Sequence, residues 1–230
     1  MDTTGETADR DPLRPTDHTA LLLHVLRREA ARFGKRRGLD MGVGSGVLLA
    51  ALGLLGVAEL HGVDADAEAV AATRRLLGEM GLAARAEVRQ GSLWAPVAGG
   101  RFDVVVANLP QFAALEPSDP DHSPGWSAAG ADGRAWLDPF LAGLGAHLAE
   151  DGVAFMTHNV AADRARTDEI LARSGLAART AHATTMVLDP RKSALLHPAV
   201  RARAENGLSR IGPYEFVEVT VLEIRPVGTG

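Results

Sequence analysis

Gly42, Gly44 and Gly46 alternate in the run Asp40-Met41-Gly42-Val43-Gly44-Ser45-Gly46, between a short apolar strand and an apolar helix-forming run, Val47 to Leu55. Alternate glycines let a backbone turn tightly and approach a ligand closely, because no Cβ stands in the way. The helix that follows offers unpaired N–H groups to whatever sits in the turn. This is a cradle for a nucleotide-like cofactor. Asp64 closes the next apolar run, Ala58 to Val63. It lies roughly 20 residues past the first glycine, where a doubly wound fold sets an acid on a ribose diol. A further apolar run, Phe102 to Ala107, leads directly into Asn108-Leu109-Pro110-Gln111-Phe112. The side-chain carbonyl of Asn108 and the backbone carbonyl of Leu109 can accept the N–H bonds of an amide or amine. Those bonds would turn the nitrogen lone pair toward an electrophile. The glycines alone also approach the dinucleotide pattern G-x-G-x-x-G, but its last position is Val47.

Strands and helices must alternate to carry these residues. Thr16 or Asp17 caps a first helix running to Phe33, with Leu21, Leu22, Val25 and Leu26 on one face. Asp66 caps a helix that ends near Gly81, and a short strand, Ala84 to Val88, leads to the loop Gly91-Ser92-Leu93-Trp94. Beyond the strand Phe102 to Ala107 come a helix over 135–148, a strand over 152–157, a helix over 162–173 and a strand over 178–188. Glu215 to Ile224 alternates cleanly, as an antiparallel strand inserted near a sheet edge does. Two stretches, 109–133 and 189–213, show no period. The pattern predicts an α/β fold: a Rossmann-like, doubly wound, mostly parallel seven-stranded sheet with an antiparallel C-terminal strand. Residues 1–15 read as a disordered lead-in and 16–230 as a single domain. Asp40, Asp64, Ser92, Asn108 and His158 all fall at the ends of strands, so one crevice would hold them.

Composition narrows the function. At 230 residues and 24.1 kDa, with 46% hydrophobic residues, the chain can bury a full core. It has no cysteine, which excludes disulfides and thiolate chemistry. The acidic N-terminus has no signal-peptide pattern, and no apolar run is long enough to span a membrane, so the expected location is cytoplasmic. A net charge of −5 argues against a nucleic-acid substrate. Arg27-Arg28 and Lys35-Arg36-Arg37 read as charges at helix ends. The eight histidines include no i,i+4 pair with a nearby acid, so no catalytic metal is expected.

Strand, glycine loop, helix, strand, Asp64 and then strand, Asn108-Leu109-Pro110, in that order, resemble the class I S-adenosylmethionine methyltransferases that act on planar nitrogen. Within that class the chain looks like the HemK-type glutamine N5-methyltransferases, in their single-domain branch. Pro15-Thr16-Asp17-His18-Thr19-Ala20-Leu21-Leu22 is similar to the family's Pro-x-Glu-Asp-Thr-x-Leu-Leu. Leu39-Asp40-Met41-Gly42-Val43-Gly44-Ser45-Gly46 is similar to its Leu-Asp-Leu-Gly-Thr-Gly-Ser-Gly. Ala129-Gly130-Ala131-Asp132-Gly133-Arg134 is similar to its Gly-Gly-x-Asp-Gly-Arg. The resemblance implies S-adenosylmethionine as cofactor. Asp40 would bind the methionine ammonium, directly or through water, with Gly42, Gly44 and Gly46 packed against the methionine and ribose. Asp64 and Ala65 would lie at the ribose, Ser92 and Leu93 at the adenine, and Trp94 could form an apolar wall there. Asn108, Leu109 and Pro110 would be catalytic, with Asn108 also touching the cofactor.

The family's loop reads Asn-Pro-Pro-Tyr, however, and here it reads Asn108-Leu109-Pro110-Gln111. Leu at the second place occurs in adenine-N6 methyltransferases. The aromatic that would stack on the acceptor plane is replaced by Gln111, with Phe112 next to it. Gln111, Phe112, Trp126 and His158 are the candidate acceptor-binding residues, with His122, Arg191, Lys192 and His197 as lesser ones. The expected activity is methyl transfer to a planar or amine nitrogen of a small biosynthetic metabolite or of a protein glutamine. Gln111 and the enlarged 189–213 stretch tilt that choice to the small molecule. The alternatives are an RNA or DNA adenine-N6 methyltransferase, and a catalytically silent S-adenosylmethionine-binding partner protein.

Overall fold

The structure, a computed structural model, describes residues 13–34, 36–111, 129–130, 132–188, 190, 193, 196, 198–203 and 207–228. Its strands are β1 (Arg37–Met41), β2 (Glu59–Asp64), β3 (Ala86–Gln90), β4 (Phe102–Ala107), β5 (Leu148–Asn159), β6 (Leu176–Leu188), β7 (Leu208–Ile211) and β8 (Tyr214–Pro226). Its helices are α1 (Asp17–Glu29), α2 (Val47–Leu54), α3 (Ala67–Glu79), α4 (Leu137–His147), α5 (Arg164–Arg173) and α6 (Pro198–Arg203).

The strands form one sheet in the order β3-β2-β1-β4-β5-β8-β6. β1 to β5 pair in parallel, while β8 lies antiparallel between β5 and β6. Parallel strands covered on both faces read as unbroken apolar runs. β4 is the clearest instance: Val104 and Val106 enter the core on one face, and Val105 and Ala107 enter the core on the other. On the first face α1, α2 and α3 supply Leu22, Leu26, Leu49, Leu52, Val70 and Leu77. On the second, α4 and α5 supply Leu137, Phe140, Leu144, Ile170 and Leu171. Asp66 caps α3 by accepting from the Glu68 N–H at 2.9 Å, as its position in the sequence predicts.

The seven expected strands are all present, and β7 is an eighth. It lies in the stretch read as irregular, 189–213, which also carries α6. Four residues, Leu208-Ser209-Arg210-Ile211, are too few to show a period, and β7 exists because β8 supplies its ladder. The two-residue turn Gly212-Pro213 joins them, with Gly212 at φ +60°. β5 also begins earlier than expected, at Leu148, and a register shift opposite Phe102 and Val104 accommodates its polar start. α1 stops at Glu29 instead of Phe33, and Ala30–Arg32 tighten into a 3-10 turn. Among the described residues no helix is long and apolar enough to cross a membrane.

Candidate active site

The sheet order reverses between β1 and β4, so the loops leaving these two strands part and open a crevice at their carboxyl ends. The cavity there has a volume of about 950 Å³, which suffices for a nucleoside-sized ligand and part of an acceptor. Gly42, Gly44, Asp64, Ala65, Ser92 and Leu93 line it from the side of β1 and β2, and Asn108 to Gln111 from the side of β4. The two sides touch: the Leu109 side chain lies 3.0 Å from where a Cβ on Gly42 would stand.

The glycine loop is tied to the end of β2. Gly42 and Val43 both donate to the Val63 carbonyl, at 2.8 and 3.1 Å. The Gly44 N–H donates to Asp64 Oδ2 and the Asp66 N–H to Oδ1, each at 2.9 Å. Each carboxylate oxygen keeps a further lone pair for a ligand hydroxyl. The three glycines have positive φ, +77°, +48° and +78°, yet they serve different ends. A Cβ on Gly44 would meet nothing within 4 Å, so it would project into open cavity. A Cβ on Gly46 would come within 2.9–3.0 Å of Thr73 on α3. Gly46 does not line the cavity and packs against α3 instead. Gly44→Ala should therefore fold, with stability lowered by about 1 kcal/mol for the left-handed alanine, and lose cofactor binding. Gly46→Ala should lose stability by roughly 2 kcal/mol or more. Thermal melts and S-adenosylmethionine titrations of the two variants check this contrast.

Asp40 lies behind the cavity wall, fully buried. Neither of its carboxylate oxygens has a hydrogen-bond partner among the described residues. Burial first, and the charge on Asp64 second, hold its carboxyl well above the usual carboxylate range, while the Leu49 amide in the first turn of α2 pulls weakly the other way. A buried acid without a partner is costly, and a cationic ligand group nearby would relieve that cost. Across the crevice, Leu93 stands in the left-handed region at φ +46°, a strained position for a non-glycine residue. Trp94 is not a wall of the cavity. Its ring stacks on Phe140 and His147, at centroid distances of 5.3 and 4.4 Å, and its Nε1–H donates to the Phe140 carbonyl at 3.0 Å.

On the β4 side, Asn108 Oδ1 accepts from the Thr157 hydroxyl at 2.8 Å, and its Nδ2 lies 3.5 Å from Thr19 Oγ1. Thr19 also receives the Thr16 N–H, at 3.2 Å, so the start of α1 supports the loop. Gln111 does not turn its amide to an acceptor. Its Nε2 donates to the Thr157 carbonyl at 2.7 Å and its Oε1 accepts from the Asn159 N–H at 3.0 Å.

His158 is likewise corrected. It is buried on the opposite side of β5 from Thr157 and Asn159, which do line the cavity. Arg134 is also buried and donates to the Ala162 and Asp163 carbonyls, to Asp138 and to Thr167 Oγ1. Because Arg134 only donates, the Thr167 hydroxyl proton points to His158 Nε2, 2.9 Å away. The imidazole is therefore neutral, and burial, reinforced by Arg134 and Arg164, lowers its pKa to about 4. A histidine held neutral stabilises the fold above its ordinary pKa, and that stability is lost as pH falls from about 6.5 toward 4. The loss should approach 3 kcal/mol, about what the shift implies. Urea melts across this range should show the slope, and His158→Gln should flatten it.

Phe112, Trp126, His122, Arg191, Lys192 and His197 lie outside the described residues. The sequence reading missed Leu13, Arg14 and Asp17 at the chain's entry to α1, and Met186 and Val217 on β6 and β8, which all line the cavity. Leu13 and Arg14 belong to the stretch read as lead-in. Asn159, which follows the fifth strand with His158 and is with it a candidate to reach the acceptor, does line the cavity, as does Thr157; strand alternation sets these two on one side and His158 on the other.

Residues 15–119 match the family model described as methyltransferase small domain. A ribosomal protein uL3 glutamine methyltransferase from Bordetella pertussis is 38% identical over 125 residues, 51% of this chain and 41% of that protein. A release factor glutamine methyltransferase from Agrobacterium fabrum is 31% identical over 155 residues, 62% of this chain and 53% of that protein. The chain thus spans about half the length of the curated relatives it matches. Among solved structures, the 16S rRNA N2 G1207 methyltransferase of T. thermophilus, in complex with AdoMet and guanosine, aligns with a TM-score of 0.58 at 19% identity. That alignment covers 93% of this chain and 44% of the other and speaks to the fold alone. The matched residues 15–119 run from the start of α1 past the glycine loop, Asp64 and the Asn108-Leu109-Pro110 loop, so this part of the chain is similar to the methyltransferase small domain.

Proposed function

We propose that the chain transfers the methyl group of S-adenosylmethionine to the nitrogen of a carboxamide, with a protein glutamine as acceptor. The observation that carries this reading is Asn108 just beyond the end of β4, lining the same cavity as Gly44 and Asp64. The residues suit the cofactor on two counts: the open space at Gly44 and the unpartnered buried carboxyl of Asp40. When bound, S-adenosylmethionine supplies a methyl on a sulfonium, which is already a good leaving group. The chain's own task is positioning. An amide nitrogen is a weak nucleophile, because its lone pair is delocalised into the carbonyl. Asn108 Oδ1, which keeps one lone pair beside its bond from Thr157, and the Leu109 carbonyl would accept the two N–H bonds and fix the nitrogen in line with the methyl. Asp64 would hold the ribose diol, and Asp40 would offset the ammonium charge from behind the wall.

The relatives named as glutamine methyltransferases favour a protein acceptor. Of the two features that tilt toward a small molecule, Gln111 and the enlarged 189–213 stretch, Gln111 is engaged with the backbone of β5. The test is incubation of the purified protein with methyl-labelled S-adenosylmethionine and a bacterial lysate, followed by separation of protein, RNA and small molecules. Label in protein, recovered as N5-methylglutamine after digestion, is the expected result. Label in RNA or in the small-molecule fraction overturns it.

A further inference from the structure

Gln111 sits three residues beyond Asn108, and its amide copies a piece of main chain. β4 pairs with β5 in parallel, with Val106 opposite Phe155 and Ala107 opposite Met156. Two more residues of that register would set Leu109 opposite His158. Its N–H would then go to the Thr157 carbonyl, and its C=O would receive the Asn159 N–H. The chain leaves the sheet before that rung forms, and Pro110 follows. Gln111 closes the rung in its place, with Nε2 on the Thr157 carbonyl at 2.7 Å and Oε1 on the Asn159 N–H at 3.0 Å. The same Thr157 donates its hydroxyl to Asn108 Oδ1 at 2.8 Å. The Leu109 carbonyl, released from the ladder, has Gln111 Nε2 only at 3.5 Å.

We infer that Gln111 is a positioning residue: its side-chain amide replaces the main-chain rung of Leu109 and, through Thr157, fixes the carbonyl of Asn108, leaving the Leu109 carbonyl to the acceptor. It rests on the functional reading only in what Asn108 does. The ladder itself can be measured without any acceptor.

The experiment is amide hydrogen exchange of the free protein, followed by methyl-transfer rates into the fraction that wild type labels. Gln111→Ala should raise exchange at the Asn159 N–H by about tenfold with the melting transition retained. It should bind S-adenosylmethionine as wild type does. It should lower kcat about 10- to 100-fold at little change in acceptor KM, as a small misplacement of Asn108 requires. Gln111→Glu is the conservative variant. Its protonated carboxyl can donate to Thr157 and accept from Asn159, but its carboxylate can only accept. Protection at Asn159 and turnover, each taken as a ratio to wild type at the same pH, should therefore recover as pH falls through the carboxyl's pKa. Unchanged exchange at Asn159 in Gln111→Ala overturns the inference, as does a raised acceptor KM at constant kcat. Absence of S-adenosylmethionine binding in wild type would instead overturn the functional reading and leave the exchange result standing.

Discussion

Asn108→Ala is expected to bind S-adenosylmethionine within about threefold of wild type and to transfer methyl at least about 1000-fold more slowly. The two halves of this result follow from separate contacts. The groups assigned to the cofactor, Asp64, Gly44 and Asp40, are held by the ends of β1 and β2, and none bonds to Asn108. Asn108 is held from the other side, by Thr157 and Thr19. Removing its amide leaves the glycine loop in place but takes away the carbonyl that would orient the acceptor nitrogen. Single-turnover transfer with pre-bound cofactor separates this from slow product release. Thr157→Val provides the graded control: it keeps Asn108 but frees its carbonyl, so a loss of about tenfold is expected. Turnover by Asn108→Ala near the wild-type rate would remove Asn108 from the chemistry, and a silent cofactor-binding protein would then be the better account.

The parts of this molecule legible in the sequence were those with a strong period or a fixed chemical requirement. β4 reads as a strand because a parallel strand covered on both faces must be apolar throughout. Asp66 announces α3 because a helix start needs an acceptor for its first N–H groups. The glycine loop and Asp64 could be placed together because both follow consecutive strands of a doubly wound sheet. What escaped notice depends on contacts distant in sequence. β7 is a strand only because β8 lies beside it, and nothing in Leu208-Ser209-Arg210-Ile211 foretells that. Gly46 looks like its two neighbours in the sequence, but α3 passes close enough that Thr73 excludes a Cβ there. Trp94 and Gln111 were read as groups facing a ligand. One stacks on α4 and the other finishes a ladder, and both partners lie more than forty residues away. His158 shows the simplest error: a polar residue at a strand end was counted toward the crevice without asking which side of the strand it faced.

Asp40→Asn is expected to weaken S-adenosylmethionine binding about 10- to 100-fold while improving the cofactor-free protein relative to wild type as pH rises. The opposite signs have one origin. In the free protein the Asp40 carboxyl is buried without a partner, and its pKa is raised by that burial and by Asp64. A group whose folded pKa exceeds its unfolded one contributes stability that is complete below the unfolded pKa and is lost as pH rises through the folded one. Asparagine carries no charge to bury, so the stability difference between variant and wild type should grow with pH. This trend is opposite to that of His158, whose contribution is lost as pH falls, so melts of the two single variants separate the groups. Binding turns the argument round. An ammonium group near Asp40 favours the carboxylate, so wild type should release a proton on binding wherever the free carboxyl is protonated, and its affinity should climb with pH. Calorimetric titrations in buffers of different ionisation enthalpy count that proton directly. Asp40→Asn should release none, and its affinity should be flat over the same range. Proton release of equal size in variant and wild type would assign the linkage to another group and leave the unpartnered carboxyl of Asp40 without a role in binding.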